Sequence, residues 1–178
     1  SEFPSSFVGY NYGVYATDVC KTDKFTVIAN STFTNNRHGI YLSTHLNPRI
    51  YNNEIEVPNL STPSGFASPY GVYLNASSGY LFTENKFTTI GSGFNTYGAV
   101  FNNSGSDANL AYKNTFDGLT YATQAIGSNM GGTTGLVFQC NRFGDVADNI
   151  RDLTVFGNSG QPDQGIAANQ GEYYGTST

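Results

Sequence analysis

The chain has 178 residues, enough for one domain with its own core, and carries a net charge of −5 with only 12% charged residues. Its few basic residues are scattered, which excludes a phosphate-neutralising nucleic-acid surface, and no stretch approaches the roughly 20 apolar residues of a membrane-spanning helix. Asn (20), Thr (19), Ser (16) and Gly (21) take the place of charge, but 13 Tyr and 13 Phe recur at regular places, so the polar excess does not signal disorder.

Two elements alternate along the chain. The first reads Tyr/His-Gly-aliphatic: Tyr12-Gly13-Val14-Tyr15, His38-Gly39-Ile40-Tyr41, Tyr70-Gly71-Val72-Tyr73, Tyr97-Gly98-Ala99-Val100, and a weaker copy at Tyr121-Ala122. The second follows each first one and reads apolar-x-x-Asn-x-Phe, running 28–33, 50–55, 82–87, 111–116 and 138–143. Its Asn place holds Ser31, Asn53, Asn85, Asn114 and Asn141. The four glycines are spaced by 26, 32 and 27 residues, a coil of fairly constant length plus loops of variable length. The longest step contains the Pro- and Ser-rich loop 58–65. Helix formers are scarce and no amphipathic run has a 3.6-residue period.

This pattern predicts an all-β solenoid, a right-handed parallel β-helix of about five coils. A strand buries every second side chain, so Ile40 and Leu42 point inward against Tyr41, as do Val72 and Leu74 against Tyr73. One coil cannot bury its apolar face alone, and stacked coils bury it continuously. Ile28, Ile50, Phe82 and Phe138 are expected in one internal column and Phe33, Ile55, Phe87, Phe116 and Phe143 in another. The recurring Asn is expected at a corner, in the left-handed backbone region and bonded along the stack. In this register Glu54 lies beside Lys86 and Glu84 beside Lys113, favourable neighbours on adjacent strands. Cys20 and Cys140 fall about four coils apart, near 19 Å at roughly 4.8 Å per strand, too far for a disulfide. Two free thiols are expected, at least one packed inside as a small hydrophobe.

The runs Ile50-Tyr51-Asn52-Asn53-Glu54-Ile55, Tyr70-Gly71-Val72-Tyr73-Leu74 and Glu84-Asn85-Lys86-Phe87 resemble the right-handed β-helix repeats of the pectate-lyase-like superfamily, most closely the NosD-type repeat. Cys140-Asn141-Arg142-Phe143 with Gln164-Gly165-Ile166-Ala167 resembles β-helical surface proteins of Bacteroidota. The resemblance covers about residues 7–170. It implies the fold and a secreted or bacterial cell-surface setting, but not one activity, because this repeat serves lyases, hydrolases, epimerases and adhesins alike. Residues 1–178 read as one β-helix domain and a piece of a larger protein, with 1–11 as N-terminal edge or cap and 159–178 as C-terminal tail. Open coil ends offer strand edges through which copies or neighbouring domains could stack.

Enzymes of this architecture need clustered carboxylates, or acids on calcium with a basic residue. Glu54 and Glu84 already have Lys neighbours. Asp145, Asp148 and Asp152 with Arg151 read as a solvated loop before a calcium site, and no metal or cofactor is expected. His38 and His45, bracketed by Arg37 and Arg49, form no zinc spacing; His38 takes a Tyr place in the column of Tyr12, Tyr70 and Tyr97. The feature that points to a ligand is the row Tyr15, Tyr41 and Tyr73, continued by Val100. These side chains face outward, each with a flat apolar body and a polar tip suited to sugar; ring stacking that only stabilises the strands is the competing account. The leading reading is a non-catalytic structural or adhesive module with carbohydrate or another surface protein as partner. A polysaccharide lyase or glycoside hydrolase, and a self-assembling or protein-binding solenoid, are the alternatives.

Overall fold

Each repeat closes into one coil of three short strands. In the first coil these are β1 (Ser5–Val8), β2 (Tyr12–Thr17) and β3 (Val27–Ala29); in the second, β4 (Ser31–Thr34), β5 (His38–Ser43) and β6 (Arg49–Tyr51). The third has β7 (Glu54–Pro58), β8 (Tyr70–Asn75) and β9 (Leu81–Thr83), and the fourth β10 (Lys86–Ile90), β11 (Tyr97–Asn102) and β12 (Asn109–Tyr112). The fifth holds β13 (Thr115–Asp117), β14 (Tyr121–Ile126), β15 (Met130–Gly131) and β16 (Thr134–Gln139), and β17 (Arg142–Phe143) and β18 (Arg151–Phe156) begin a sixth. This computed structural model describes residues 4–18, 26–62, 67–91, 95–144, 147–157, 165–168 and 170.

Equivalent strands stack into three six-stranded sheets, β1-β4-β7-β10-β13-β17, β2-β5-β8-β11-β14-β18 and β3-β6-β9-β12-β16-β15. Every pairing among them is parallel except the β15–β16 hairpin. The fold is the expected right-handed parallel β-helix.

The expected columns are the core. Ile28 pairs with Ile50, Ile50 with Phe82, Phe82 with Ala111 and Ala111 with Phe138. The Phe column starts one coil earlier than its repeat signature, because Phe7 on β1 stacks on Phe33 with ring centres 4.8 Å apart. The 1–11 segment therefore carries a strand of the stack. Phe87, Phe116 and Phe143 continue the column at 4.8 and 5.4 Å. Lys86 is the register partner of Glu54, as the repeat alignment requires.

The Asn ladder is present, with one correction to its geometry. Asn53, Asn85 and Asn114 are buried. Each side-chain oxygen accepts from the backbone N–H of the coil before, and each amide donates to that coil's carbonyl: Asn53 N to Asn85 Oδ1 at 3.2 Å and Asn85 Nδ2 to Ile50 O at 3.0 Å. Amide also bonds amide, Asn53 to Asn85 at 2.9 Å, Asn85 to Asn114 at 3.0 Å and Asn114 to Asn141 at 2.9 Å. The left-handed residue, however, is the one before: Asn30, Asn52, Glu84, Lys113 and Cys140 have φ of 51–55°. Turning at that residue aims the following Asn inward along the stack. Cys140 therefore sits at an exposed corner, not in the core as a small hydrophobe, and Cys20 lies outside the described residues. Asn36 and Asn149 serve another corner in the same way: Asn36 accepts from Tyr10 N and donates to Phe7 O, and Asn149 accepts from Leu119 N and donates to Phe116 O.

Of the expected tail, the described part is tied to the stack. Asn129 N donates to Gly165 O, Ala167 N to Leu136 O, and Phe138 N to Gln170 Oε1.

Candidate functional site

The second sheet (β2, β5, β8, β11, β14, β18) carries the aromatic residues on its outer face. Strict alternation would turn Tyr70 inward with Val72 and Leu74. Instead the alternation slips once at the glycine: a Cβ on Gly71 would point at the Phe87 ring inside, and Val72 is also in the core. Two successive inward residues leave Tyr70 and Tyr73 both on the outer side of the sheet, with ring centres 5.3 Å apart, although Tyr70 is covered there and buried. The same slip in the first coil brings Tyr12 to 5.0 Å from Tyr15.

Two aromatic rows therefore run side by side across the coils. Tyr15 stacks on Tyr41 at 4.9 Å and 9°, and Tyr41 meets Tyr73 at 5.7 Å and 35°. Tyr15 is 59% exposed, and Tyr41 and Tyr73 are half-buried. In the parallel row Tyr12 meets His38 at 4.8 Å, His38 stacks on Tyr70 at 4.2 Å, and further on Tyr97 stacks on Tyr121 at 4.6 Å and 4°. The Arg151 guanidinium lies over Tyr121 at 5.1 Å and donates to its hydroxyl at 3.0 Å.

Val100 does not extend the exposed row. It is buried, as is its neighbour Gln124. They form the floor of a cleft of about 180 Å³ walled by Tyr70, Tyr73 and Tyr97 and rimmed by Ala67 and Ser68. Burial raises the hydroxyl pKa of Tyr70, Tyr73 and Tyr97, with neighbouring Tyr hydroxyls acting in the same direction. These phenols stay protonated, so each can both donate and accept. His38 is driven the other way, to a pKa of about 4, by burial and then by the Arg37 charge; it is a neutral ring in the stack.

The remaining candidates do not converge. Arg37 donates to Ala67 O and Arg49 to Gly79 O, and His45 Nδ1 pairs with Thr26 Oγ1 at 2.8 Å, on a different side of the coil from His38. Asp152 is engaged by Asn149, and Asp145 lies outside the described residues. Among the described residues no three His, Cys, Asp or Glu side chains stand close enough to hold a metal ion.

The spacing of the repeats placed Tyr15, Tyr41 and Tyr73 on the outer face but not Tyr70, Tyr97 and Gln124 around one cleft. The available signal was the break in the repeat, where Val100 and Gln124 stand at the Tyr place. No curated protein and no solved structure matches the chain. A family model described as periplasmic copper-binding protein (NosD) matches residues 5–130, well over half of the chain, and the protein accordingly belongs to the NosD family.

Proposed function

We propose that the protein is a non-catalytic module of a secreted, periplasmic or cell-surface β-helix, and that it binds carbohydrate on the face bearing Tyr15, Tyr41 and Tyr73. The observation that carries this reading is the ordered row of these three rings, 4.9 and 5.7 Å apart on a rigid sheet, beside a second aromatic row. Contiguous aromatic surface of this kind is uncommon on a protein with no partner for it. The periplasmic description of the family supports the location. The spread of the described carboxylates speaks against the lyase and hydrolase readings, which need acids on both sides of one bond. A glycan array tests the proposal: the triple variant Tyr15→Ala, Tyr41→Ala, Tyr73→Ala should lose binding with its circular dichroism unchanged. Full retention of binding would overturn it.

Copper, named in the family's description, calls for imidazole, thiolate or thioether donors grouped together. Here the His38 ring is packed between Tyr12 and Tyr70, His45 is paired with Thr26, and Cys140 is at a remote corner. The described residues do not fit a copper site, and no part of the proposed function runs through the metal.

A further inference from the structure

Rings that stack on each other cover each other's faces, so inside the Tyr row a sugar meets edges and hydroxyls, and it meets ring faces at the row's ends and breaks. Tyr41 has Tyr15 on one side and Tyr73 on the other. Free faces arise where the stack is interrupted, and the rows are interrupted between β8 and β11. On one side of the break, His38 covers one face of Tyr70 and Tyr41 approaches one face of Tyr73. On the other, Tyr121 covers one face of Tyr97. All three rings line the cleft over Val100 and Gln124, with Tyr70 itself only 6% exposed.

We propose that this cleft is a subsite for one uncharged pyranose ring, held between Tyr70 and Tyr73 on one wall and Tyr97 on the other, with the Gln124 amide reading its hydroxyls. The inference rests on the carbohydrate reading above and narrows it to a place and a ligand class.

Size sets the first limit. About 180 Å³ is the share of about six waters in the liquid and lies below the roughly 300 Å³ where pockets for drug-sized ligands begin. It suits one six-membered ring with its hydroxyls, not a fused polycycle. Polarity sets the second. Gln124 is 9% exposed, and its amide has no hydrogen-bond partner among the described residues. A purely apolar ligand would seal that amide away unpaired, at a cost of about 1–3 kcal/mol, whereas vicinal hydroxyls would satisfy both its donor and its acceptor. Charge sets the third. Among the described residues no charged side chain lines the cleft; on neighbouring coils Arg37 donates to Ala67 O and Arg151 is held by Tyr121. A uronate buried there would meet only these guanidinium groups, already engaged beside the cleft.

The test uses Val100→Tyr, which places a fourth ring in the outer row and fills the gap while leaving Tyr15, Tyr41 and Tyr73 intact. Wild type, Val100→Tyr, Gln124→Leu and the double variant Tyr15→Ala, Tyr41→Ala are titrated with neutral gluco-, galacto- and manno-oligosaccharides and with oligogalacturonates, folding being checked by circular dichroism. The expected result is binding of a neutral oligosaccharide that falls at least about tenfold in Val100→Tyr and in Gln124→Leu and stays measurable in the double variant. Undiminished binding by both cleft variants overturns the subsite; if the double variant alone loses binding, the carbohydrate reading survives without it. Cleft-dependent binding of oligogalacturonate overturns the uncharged class. Wild type binding none of these sugars overturns both the subsite and the reading on which it rests.

Discussion

Tyr70 and Tyr97 are register partners on adjacent strands, yet no ring contact joins them, although Tyr70 stacks on His38 and Tyr97 on Tyr121. An aromatic pair contributes about 0.5–1.5 kcal/mol beyond its area burial, so the break forgoes stability that the same rows gain on either side of it. A forgone ring pair at one step of otherwise continuous rows fits a trade of stability for a binding surface.

That trade makes Val100→Tyr a stability probe as well as a binding probe. The new ring would continue Tyr15, Tyr41 and Tyr73 by one coil. Urea denaturation is expected to give an unchanged or higher midpoint, with a gain of up to about 1 kcal/mol. A loss of more than about 1 kcal/mol would mean that the fold cannot accept a ring here.

The stack should weaken in acid through His38. Its folded pKa of about 4 lies below the unfolded value of 6.5, so the unfolded chain binds the proton more readily. The contribution is fully present above pH 6.5 and is lost as pH falls toward 4. With about 1.4 kcal/mol per pH unit, the loss across that window is about 2–3 kcal/mol. His38→Phe keeps a flat ring against Tyr12 and Tyr70 and removes the proton. Thermal melts at pH 7 and pH 4.5 should show a smaller difference between the two pH values for His38→Phe than for the wild type; equal differences would locate the acid sensitivity elsewhere.

The Asn ladder offers one loss and one gain. Asn85 accepts from Asn53 and donates to Ile50 O and Asn114 Oδ1, all in the interior. Asn85→Ala leaves several buried groups unpaired and should cost about 2–4 kcal/mol. At the first rung, Ser31 uses its hydroxyl on Ala29 O, and only its backbone N–H reaches Asn53 Oδ1. Ser31→Asn would add the amide-to-amide bond that the later rungs have, with a gain of about 1 kcal/mol. Denaturant midpoints for the two variants should move in opposite directions.

Like residues stack on like in a solenoid, which is why the coils, both core columns and the outward parity of Tyr41 and Tyr73 could be read from repeated letters. The features that escaped do not repeat as letters. Asn30, Asn52, Glu84, Lys113 and Cys140 share a left-handed backbone with no common chemistry, so the recurring Asn beside them drew the assignment. Phe7 lacked an Asn before it to mark its coil. The slip at Gly71 that turns Tyr70 outward is a backbone event, and whether Tyr97 then meets Tyr70 or leaves a cleft depends on side-chain directions that spacing does not encode.

The glycine itself gives the sharpest structural test. Gly13, Gly71 and Gly98 each lie against the Phe of the next coil, Phe33, Phe87 and Phe116, and Gly39 lies near Ile55. A Cβ on Gly71 would stand 2.6 Å from Phe87 Cε1 and 2.7 Å from the Gly98 carbonyl oxygen. Neither can retreat, since Phe87 is fully buried and stacked on Phe116 and the carbonyl belongs to the next strand. Glycine is therefore required here by close approach between coils, not by a left-handed φ. The fifth copy carries Ala122, whose counterpart in the next coil is Phe143, a half-buried ring on the last strand of its sheet with room to give way. Gly71→Ala should destabilise by about 1–3 kcal/mol through overpacking, while Ala122→Gly removes a fully buried core methyl and adds chain entropy, for about 1–2 kcal/mol. An unchanged or higher melting temperature for Gly71→Ala would mean that the methyl is accommodated there and that the repeat keeps glycine for another reason.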